Sequence, residues 1–333
     1  MCFVGIDTIK LGPDHRCNSL ASHMSRKEYS RYNFCRENVT RLRLLSVPLL
    51  LILLFHLKGI LNYRHVVPMT YDAFPSQETY EFLETSQAAN ILYQPESSHI
   101  QLVILIFSAR MNYDQRDAVR RCIVATTRLV QNNIAIKFVV GNHPSKASLP
   151  PEPDLLELDL LDSYSSLPAK LKLGYRWALR EYPSVQWVAK VDDDSIIWPN
   201  RLSQFLGSLS SSKLTVVGKI FADEVVLDHG KWKEDNYKKN PIYPLFPKGS
   251  FGHVASRGVL EFLETKTVEE LFEYQGEDTS LGIWLEDANV AFIDVPTLMR
   301  NDQDCSGSPM VVGHNMKSLN SMKQCLIGNT KGP

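Results

Sequence analysis

An apolar run, Val185 to Val191 (VQWVAKV), ends in three adjacent carboxylates, Asp192, Asp193 and Asp194, and apolar sequence resumes at once with Ile196, Ile197 and Trp198. Three neighbouring charges set into buried-type sequence are costly unless a cation or another partner compensates them. The plain alternative is a solvated acidic loop. The apolar residues on both sides argue against it and require a fold in which this strand ends at a cleft.

The residues upstream supply such a fold. Leu102 to Phe107 (LVILIF) is a short continuous apolar run, as expected of a strand covered on both faces. Asp114 is a candidate N-cap, and Val119, Cys122, Ile123 and Val130 follow at helical spacing. Ile134, Ile136, Phe138 and Val140 alternate before Gly141, which predicts a second strand. Leu167, Leu171, Tyr175, Ala178 and Tyr182 then mark a second amphipathic helix before Pro183, and Val185 to Val191 forms the third strand. The order β-α-β-α-β predicts an α/β fold with a mostly parallel central sheet. In such sheets ligands bind beyond the carboxyl ends of the strands, where the acidic triplet lies. Carboxylate oxygens suit Mg²⁺ or Mn²⁺, which often bridge to substrate phosphates.

A second feature concerns the N-terminal part. Residues 42–61 (LRLLSVPLLLILLFHLKGIL) contain an uncharged run of 14 residues from Leu44 to Leu57. A buried core helix is one reading. Arg43 and Lys58 near its ends, the absence of amphipathic periodicity, and a helical rise of about 30 Å over the stretch favour a single transmembrane helix. Arg26, Lys27, Arg31, Arg36, Arg41 and Arg43 precede it, whereas Lys58 and Arg64 follow, so the N-terminus is expected on the cytosolic side. The expected organisation is a cytoplasmic tail (1–41), a signal anchor (42–61), a polar stem (62–98) and a luminal domain (99–333), a single-pass type II arrangement.

Charge and cysteine content agree with this reading. The chain holds 36 Lys/Arg against 37 Asp/Glu, and the basic excess is confined to the first 43 residues, with eight Lys/Arg against four Asp/Glu. A nucleic-acid partner is therefore not expected. Cys122, Cys305 and Cys325 would face an oxidising lumen and allow one disulfide, with Cys305 and Cys325 the preferred pair because both lie in the C-terminal segment.

Several motifs from about residue 102 to 325 resemble the β1,3-glycosyltransferases that transfer galactose, N-acetylglucosamine or N-acetylgalactosamine. VAKVDDDSI (188–196) looks like the Asp-x-Asp strand of that family, and Arg116 to Arg121 like its Arg-x-Ala-Ile-Arg helix. Phe138 to Gly141 is similar to its Phe-x-x-Gly strand end, and Asp162-x-Tyr164-x-x-Leu167-x-x-Lys170 to its Asp-x-Tyr segment. Tyr243-Pro244 through Gly249, Gly252 and Ser256 resembles the acceptor-side segment, Glu277 to Gly282 (EDTSLG) the Glu-Asp-Val-x-x-Gly motif, and His314 the C-terminal His segment. Departures occur at Cys122-Ile123, Pro247-Lys248, Phe251 and His253, which bear on sugar and acceptor specificity rather than on the acidic positions. Segments 230–237 and 274–284 look most like the galactosaminyl branch, and 305–319 more like a galactosyltransferase of proteoglycan linkers.

The resemblance implies a GT-A type, Rossmann-like nucleotide-sugar-binding domain in the Golgi membrane, with the endoplasmic reticulum as the alternative. It implies Asp192, Asp194 and His314 as ligands of Mn²⁺ or Mg²⁺, Asp193 as a nucleotide contact, and Asp278 as the general base in a single inverting displacement on UDP-galactose or another UDP-hexose. Arg116, Arg120 and Lys170 would touch the donor phosphates or cover the sheet edges. Trp232, Tyr243, Gly249 and Glu277 are expected on the acceptor side, with Trp232 and Tyr237 as sugar-stacking rings, and a glycan on protein or lipid as acceptor. The Glu277-Asp278 pair also reads as an acidic helix N-terminus. An inactive membrane-anchored partner of a transferase is the reading from another class.

Overall fold

The computed structural model describes residues 99–127, 133–142, 152–301 and 310–330. The expected tail, anchor and stem, together with Val130 and Cys305, lie outside the described residues. No helix among the described residues is long and apolar enough to cross a membrane.

A seven-stranded sheet organises this domain. Its strands are β1 (Leu102–Phe107), β2 (Ile134–Asn142), β3 (Leu155–Leu161), β4 (Trp187–Asp192), β6 (Thr215–Gly218), β9 (His253–Ser256) and β10 (Ala291–Asp294), in the spatial order β10-β6-β9-β4-β1-β2-β3. All neighbouring pairs are parallel except those of β9, which runs antiparallel to both β4 and β6. The mostly parallel central sheet expected from the sequence is therefore present. Its continuous apolar runs have a direct cause. Leu102, Ile104 and Ile106 of β1 pack into one core, while Val103, Leu105 and Phe107 pack into another on the opposite face. A strand buried on both sides has no position that favours a polar residue.

Helices α1 (Tyr113–Thr127), α3 (Pro199–Leu206) and α6 (Leu319–Thr330) contribute to the first core. The second takes α2 (Leu167–Glu181), α4 (Arg257–Glu264) and α5 (Glu277–Trp284). Short strands β5 (Ile196–Ile197), β11 (Met299–Arg300) and β12 (Val312–Gly313) form a small second sheet, and β7 (Ile220–Phe221) pairs with β8 (Phe246–Pro247).

Some details differ from the sequence reading. Asp114 lies inside the first turn of α1 rather than capping it, and Gly141 is carried within β2. Strand β3 was not anticipated, although Leu156, Leu158 and Leu160 alternate with Glu157 and Asp159, and the first two of these leucines are buried. It adds an edge strand beside β2 and places Glu152 and Asp154 at its entry. Cys122 is a buried free thiol whose pKa burial pushes up to about 12. Cys325 is disulfide-bonded.

Candidate active site

Strand β4 delivers the acidic triplet to the edge of a cleft, and each of the three side chains meets a different environment. Asp192 Oδ1 is 2.7 Å from Lys190 Nζ. Asp193 Oδ2 accepts hydrogen bonds from Ser108 Oγ at 2.7 Å and Asn112 Nδ2 at 3.0 Å, beyond the end of β1. Asp194 Oδ1 is buried and has the His314 Nδ1 2.9 Å away. The small sheet explains how a histidine 120 positions away in sequence reaches this place. Gly313 of β12 pairs with Ile196 of β5, and the Met316 N–H donates to the Asp194 carbonyl at 2.7 Å.

Ligand atoms of Asp192, Asp194 and His314 all lie within 4.8 Å of one another. Two carboxylates, one with a buried oxygen, and an imidazole match the donor preferences of Mn²⁺ and are compatible with Mg²⁺. These residues can hold a divalent cation. The expected ligand set is thus brought together.

The second half of the site comes from α5. Gly276 precedes the helix in extended conformation, and Glu277 and Asp278 form its first turn, where the N-terminal partial charge favours carboxylates. Asp278 is held at both oxygens: Gly249 N–H donates to Oδ2 at 2.8 Å and Thr279 N–H to Oδ1 at 2.8 Å. Burial, reinforced by the neighbouring Glu277 charge, pushes its carboxyl up to about 6. Glu277 points inward to Lys190, with Oε1 2.7 Å from Nζ. Burial opposes its charge, but Lys190 outweighs that and keeps its pKa below the ordinary value.

Two glycines permit this closeness. A Cβ on Gly249 would sit 2.6 Å from Glu277 Oε1 and 3.2 Å from Asp278 Oδ2, so a side chain there would push the acidic pair out of place. Gly252 has φ +73°, and a Cβ there would come within 3.1 Å of the Lys190 carbonyl. It turns the chain from the short 3₁₀ segment Gly249–Phe251 into β9 directly beside β4.

A cavity of about 530 Å³ joins the two halves: Asp192, Asp194, His314, Gly249, Glu277 and Asp278 all line it. Trp232 and Tyr243 line it as well, so the four expected acceptor-side residues share one space. Trp232 is 47% exposed and meets Tyr164 edge-on at 5.3 Å, with Lys231 Nζ 4.5 Å from its ring centre. Tyr237, by contrast, is buried and stacks on Tyr243 at 5.8 Å, so it is not available to stack on a sugar. A second cavity of about 350 Å³, lined by Phe107, Ser108, Asp162, Lys170 and Asp193, shares Tyr164, Asp192, Asp194 and His314 with the first.

The three expected donor cations lie beneath this surface. Arg116 is fully buried and donates to Glu152, to the Ala109 carbonyl and to Ser108 Oγ. Arg120, also buried, pairs with Glu152 and with both oxygens of Asp154. Neither arginine lines either cavity. Of the two roles left open by the sequence, their geometry matches the structural one, with Arg116 bracing the Ser108 hydroxyl that holds Asp193. Lys170 borders the second cavity, but its ammonium is engaged by the Ser108 carbonyl at 2.9 Å and Asp162 Oδ1 at 2.6 Å.

Sequence reasoning missed Lys190, Ser108 and Asn112. Lys190 carried one signal, as the only charge within VQWVAKV.

Comparison with known proteins bears on this arrangement. A family model described as Galactosyltransferase matches residues 114–296, more than half of the 333-residue chain. UDP-GalNAc:beta-1,3-N-acetylgalactosaminyltransferase 2 of Xenopus tropicalis is 34% identical over 133 residues, covering 40% of this chain and 26% of that protein. The human protein of the same name is 35% identical over 136 residues. Probable beta-1,3-galactosyltransferase 13 of Arabidopsis thaliana is 27% identical over 189 residues, 52% of each chain. The match thus spans about a quarter of the length of the first two relatives. With its acidic strand end and the Glu-Asp helix both inside the matched region, the chain belongs to the β1,3-glycosyltransferase family that this galactosyltransferase model describes.

Proposed function

We propose that this protein is an inverting β1,3-hexosyltransferase that moves galactose from UDP-galactose to a hydroxyl of a glycan on protein or lipid. One observation carries the reading: Asp278, fixed by two backbone N–H groups, lines the same cavity as the Asp192, Asp194 and His314 cluster. A sugar nucleotide needs its departing diphosphate neutralised and the incoming hydroxyl deprotonated, and these two groups of residues answer the two needs.

When bound by Asp192, Asp194 and His314, a divalent cation would supply Lewis-acid neutralisation of the leaving diphosphate. Asp278 takes the proton from the acceptor hydroxyl as that oxygen attacks the anomeric carbon from the face opposite the nucleotide. One displacement inverts the α-linked donor to a β-linked product, as in inverting glycosidases with a sugar hydroxyl in place of water. A carboxylate whose pKa is about 6 is a stronger base than an ordinary aspartate and is still ionised at neutral pH. Asp193, tied to Ser108 and Asn112, faces the second cavity, where the nucleoside would lie. Trp232 offers its exposed face to the acceptor.

Transfer of N-acetylgalactosamine is the second reading, favoured by the names of the relatives at 34% and 35% identity. A panel of UDP-sugars with full-length chain, Mn²⁺ and candidate acceptors separates the two by UDP release. Preference for UDP-galactose supports the first reading, and preference for UDP-N-acetylgalactosamine the second. The absence of turnover with every UDP-sugar would remove both. A type II anchor at 42–61 in the Golgi membrane completes the proposal. Protease protection of the 99–333 domain in sealed Golgi vesicles tests it, and cleavage without detergent would contradict it.

A further inference from the structure

Lys190 lies two positions before Asp192 on β4, is 1% exposed, and lines neither cavity. Its ammonium has three protons and three acceptors: Asp192 Oδ1 at 2.7 Å, Glu277 Oε1 at 2.7 Å and the Gly249 carbonyl at 3.5 Å. Each acceptor belongs to a different part of the site. Asp192 is a candidate cation ligand, Glu277 opens the helix that carries Asp278, and Gly249 donates its own N–H to Asp278. We infer that Lys190 is a positioning residue, a buried strut that fixes the cation-side carboxylate and the base-side helix relative to each other from beneath the cleft.

The charge arrangement supports the geometry. One ammonium faces two carboxylates, so it is shared between them. The burial that opposes its charge is outweighed by Asp192 and Glu277, which hold its pKa above the ordinary lysine value. Across the β4–β9 pairing lies His253, kept neutral because burial and the Lys190 charge push its pKa down to about 3, with Nε2 2.8 Å from the Tyr175 hydroxyl. No other cation is within ion-pair distance of Glu277 or Asp192 among the described residues. Lys190 also places a positive charge 2.7 Å from Asp192 Oδ1, and that charge would oppose a divalent cation held by the same carboxylate.

This gives the strut a signature that a merely space-filling lysine lacks. Removing its charge frees Asp192 and leaves more negative charge near the cation ligands, while releasing α5 from β4. Cation affinity and turnover should then move in opposite directions. The inference rests on the proposed transfer reaction for its turnover arm only.

The test compares full-length wild type with Lys190→Met, measuring affinity for Mn²⁺ by the paramagnetic resonance signal of the free ion, and kcat and KM for the UDP-sugar. Mn²⁺ should bind about tenfold more tightly in the variant, from removal of a nearby positive charge. The value of kcat should fall by about a hundredfold, with KM changed much less, as for a residue that aligns the reacting groups. Mn²⁺ binding no tighter than wild type overturns the inference, as does turnover within about threefold of wild type. If Lys190→Met does not fold, Glu277→Gln decides. Lys190 then turns wholly to Asp192 and a negative charge is lost, so Mn²⁺ should bind about tenfold more weakly; unchanged affinity overturns the inference. If wild type turns over no UDP-sugar, the transferase reading fails by itself, and the Mn²⁺ comparison still decides on the strut.

Discussion

Two clusters of buried charge meet at the Ser108 hydroxyl, which accepts from Arg116 and donates to Asp193, and their ledgers differ. At the entry to β3, Arg116 and Arg120 meet Glu152 and Asp154, two cations against two carboxylates, with every side chain engaged. At the end of β4, Asp192, Asp194, Glu277 and Asp278 surround a cavity, and Lys190 is the one cation within ion-pair distance of them besides the His314 imidazole, among the described residues. The balanced cluster is complete as it stands and holds the edge of the sheet together. The unbalanced one has spare negative charge, a buried Asp194 oxygen faced by the His314 imidazole, and space beside it, which is what a site for a cation requires.

This contrast can be broken by substitution. The largest effect is expected at Asp278→Asn, which keeps the shape and removes the base. Transfer should fall by about a thousandfold, as measured by UDP release, while a cooperative thermal transition shows that the variant is folded. A variant that keeps wild-type turnover would take the base role from Asp278.

In the balanced cluster the same kind of change should act on stability instead. Arg120→Ala strands Asp154 and half of Glu152 and should cost about 3 to 5 kcal/mol in chemical denaturation. Removing charges from both sides, Arg120→Met with Asp154→Leu, should recover most of that loss. If Arg120→Ala were stable but unable to bind donor, the guanidinium would belong to the donor site after all.

The pH profile sharpens the comparison further. Asp278 must be ionised to accept a proton, and its pKa is raised from 3.8 to about 6. The kcat/KM of wild type should therefore be flat on the acid side only above about pH 6 and drop roughly tenfold per pH unit below it. An acid limb near pH 4 would mean that the carboxylate is not desolvated in the working enzyme. The smallest effect is expected at the rim, where Trp232→Ala should raise the acceptor KM by about tenfold and leave kcat within a factor of about two. A change in kcat alone would place Trp232 closer to the chemistry than its exposed ring suggests.

The same contrast explains what could be read in advance. The acidic strand end was legible because it is contiguous, and an apolar run that stops at three aspartates needs no distant information. Asp278 and His314 could be placed through motif resemblance but not through local physics, since their meeting with Asp194 depends on α5 and on the pairing of β12 with β5. The arginines were ambiguous because the residues that neutralise them, Glu152 and Asp154, lie more than thirty positions away and precede a half-exposed edge strand whose leucines are interrupted by Glu157 and Asp159. No role for Lys190 could be read locally, because its acceptors at Glu277 and Gly249 come from segments remote in sequence. Tyr237 sits in polar sequence that suggested exposure, yet Tyr243 and Tyr274 cover its ring.

The central claim is that the unbalanced cluster holds a divalent cation. Titrating the full-length chain with Mn²⁺ and following the resonance of the free ion tests it directly, with Asp194→Ala measured alongside. One ion bound per wild-type chain, held more tightly when UDP is added and lost in the variant, is the predicted result. Equal binding by both proteins, or none by wild type, would contradict the account.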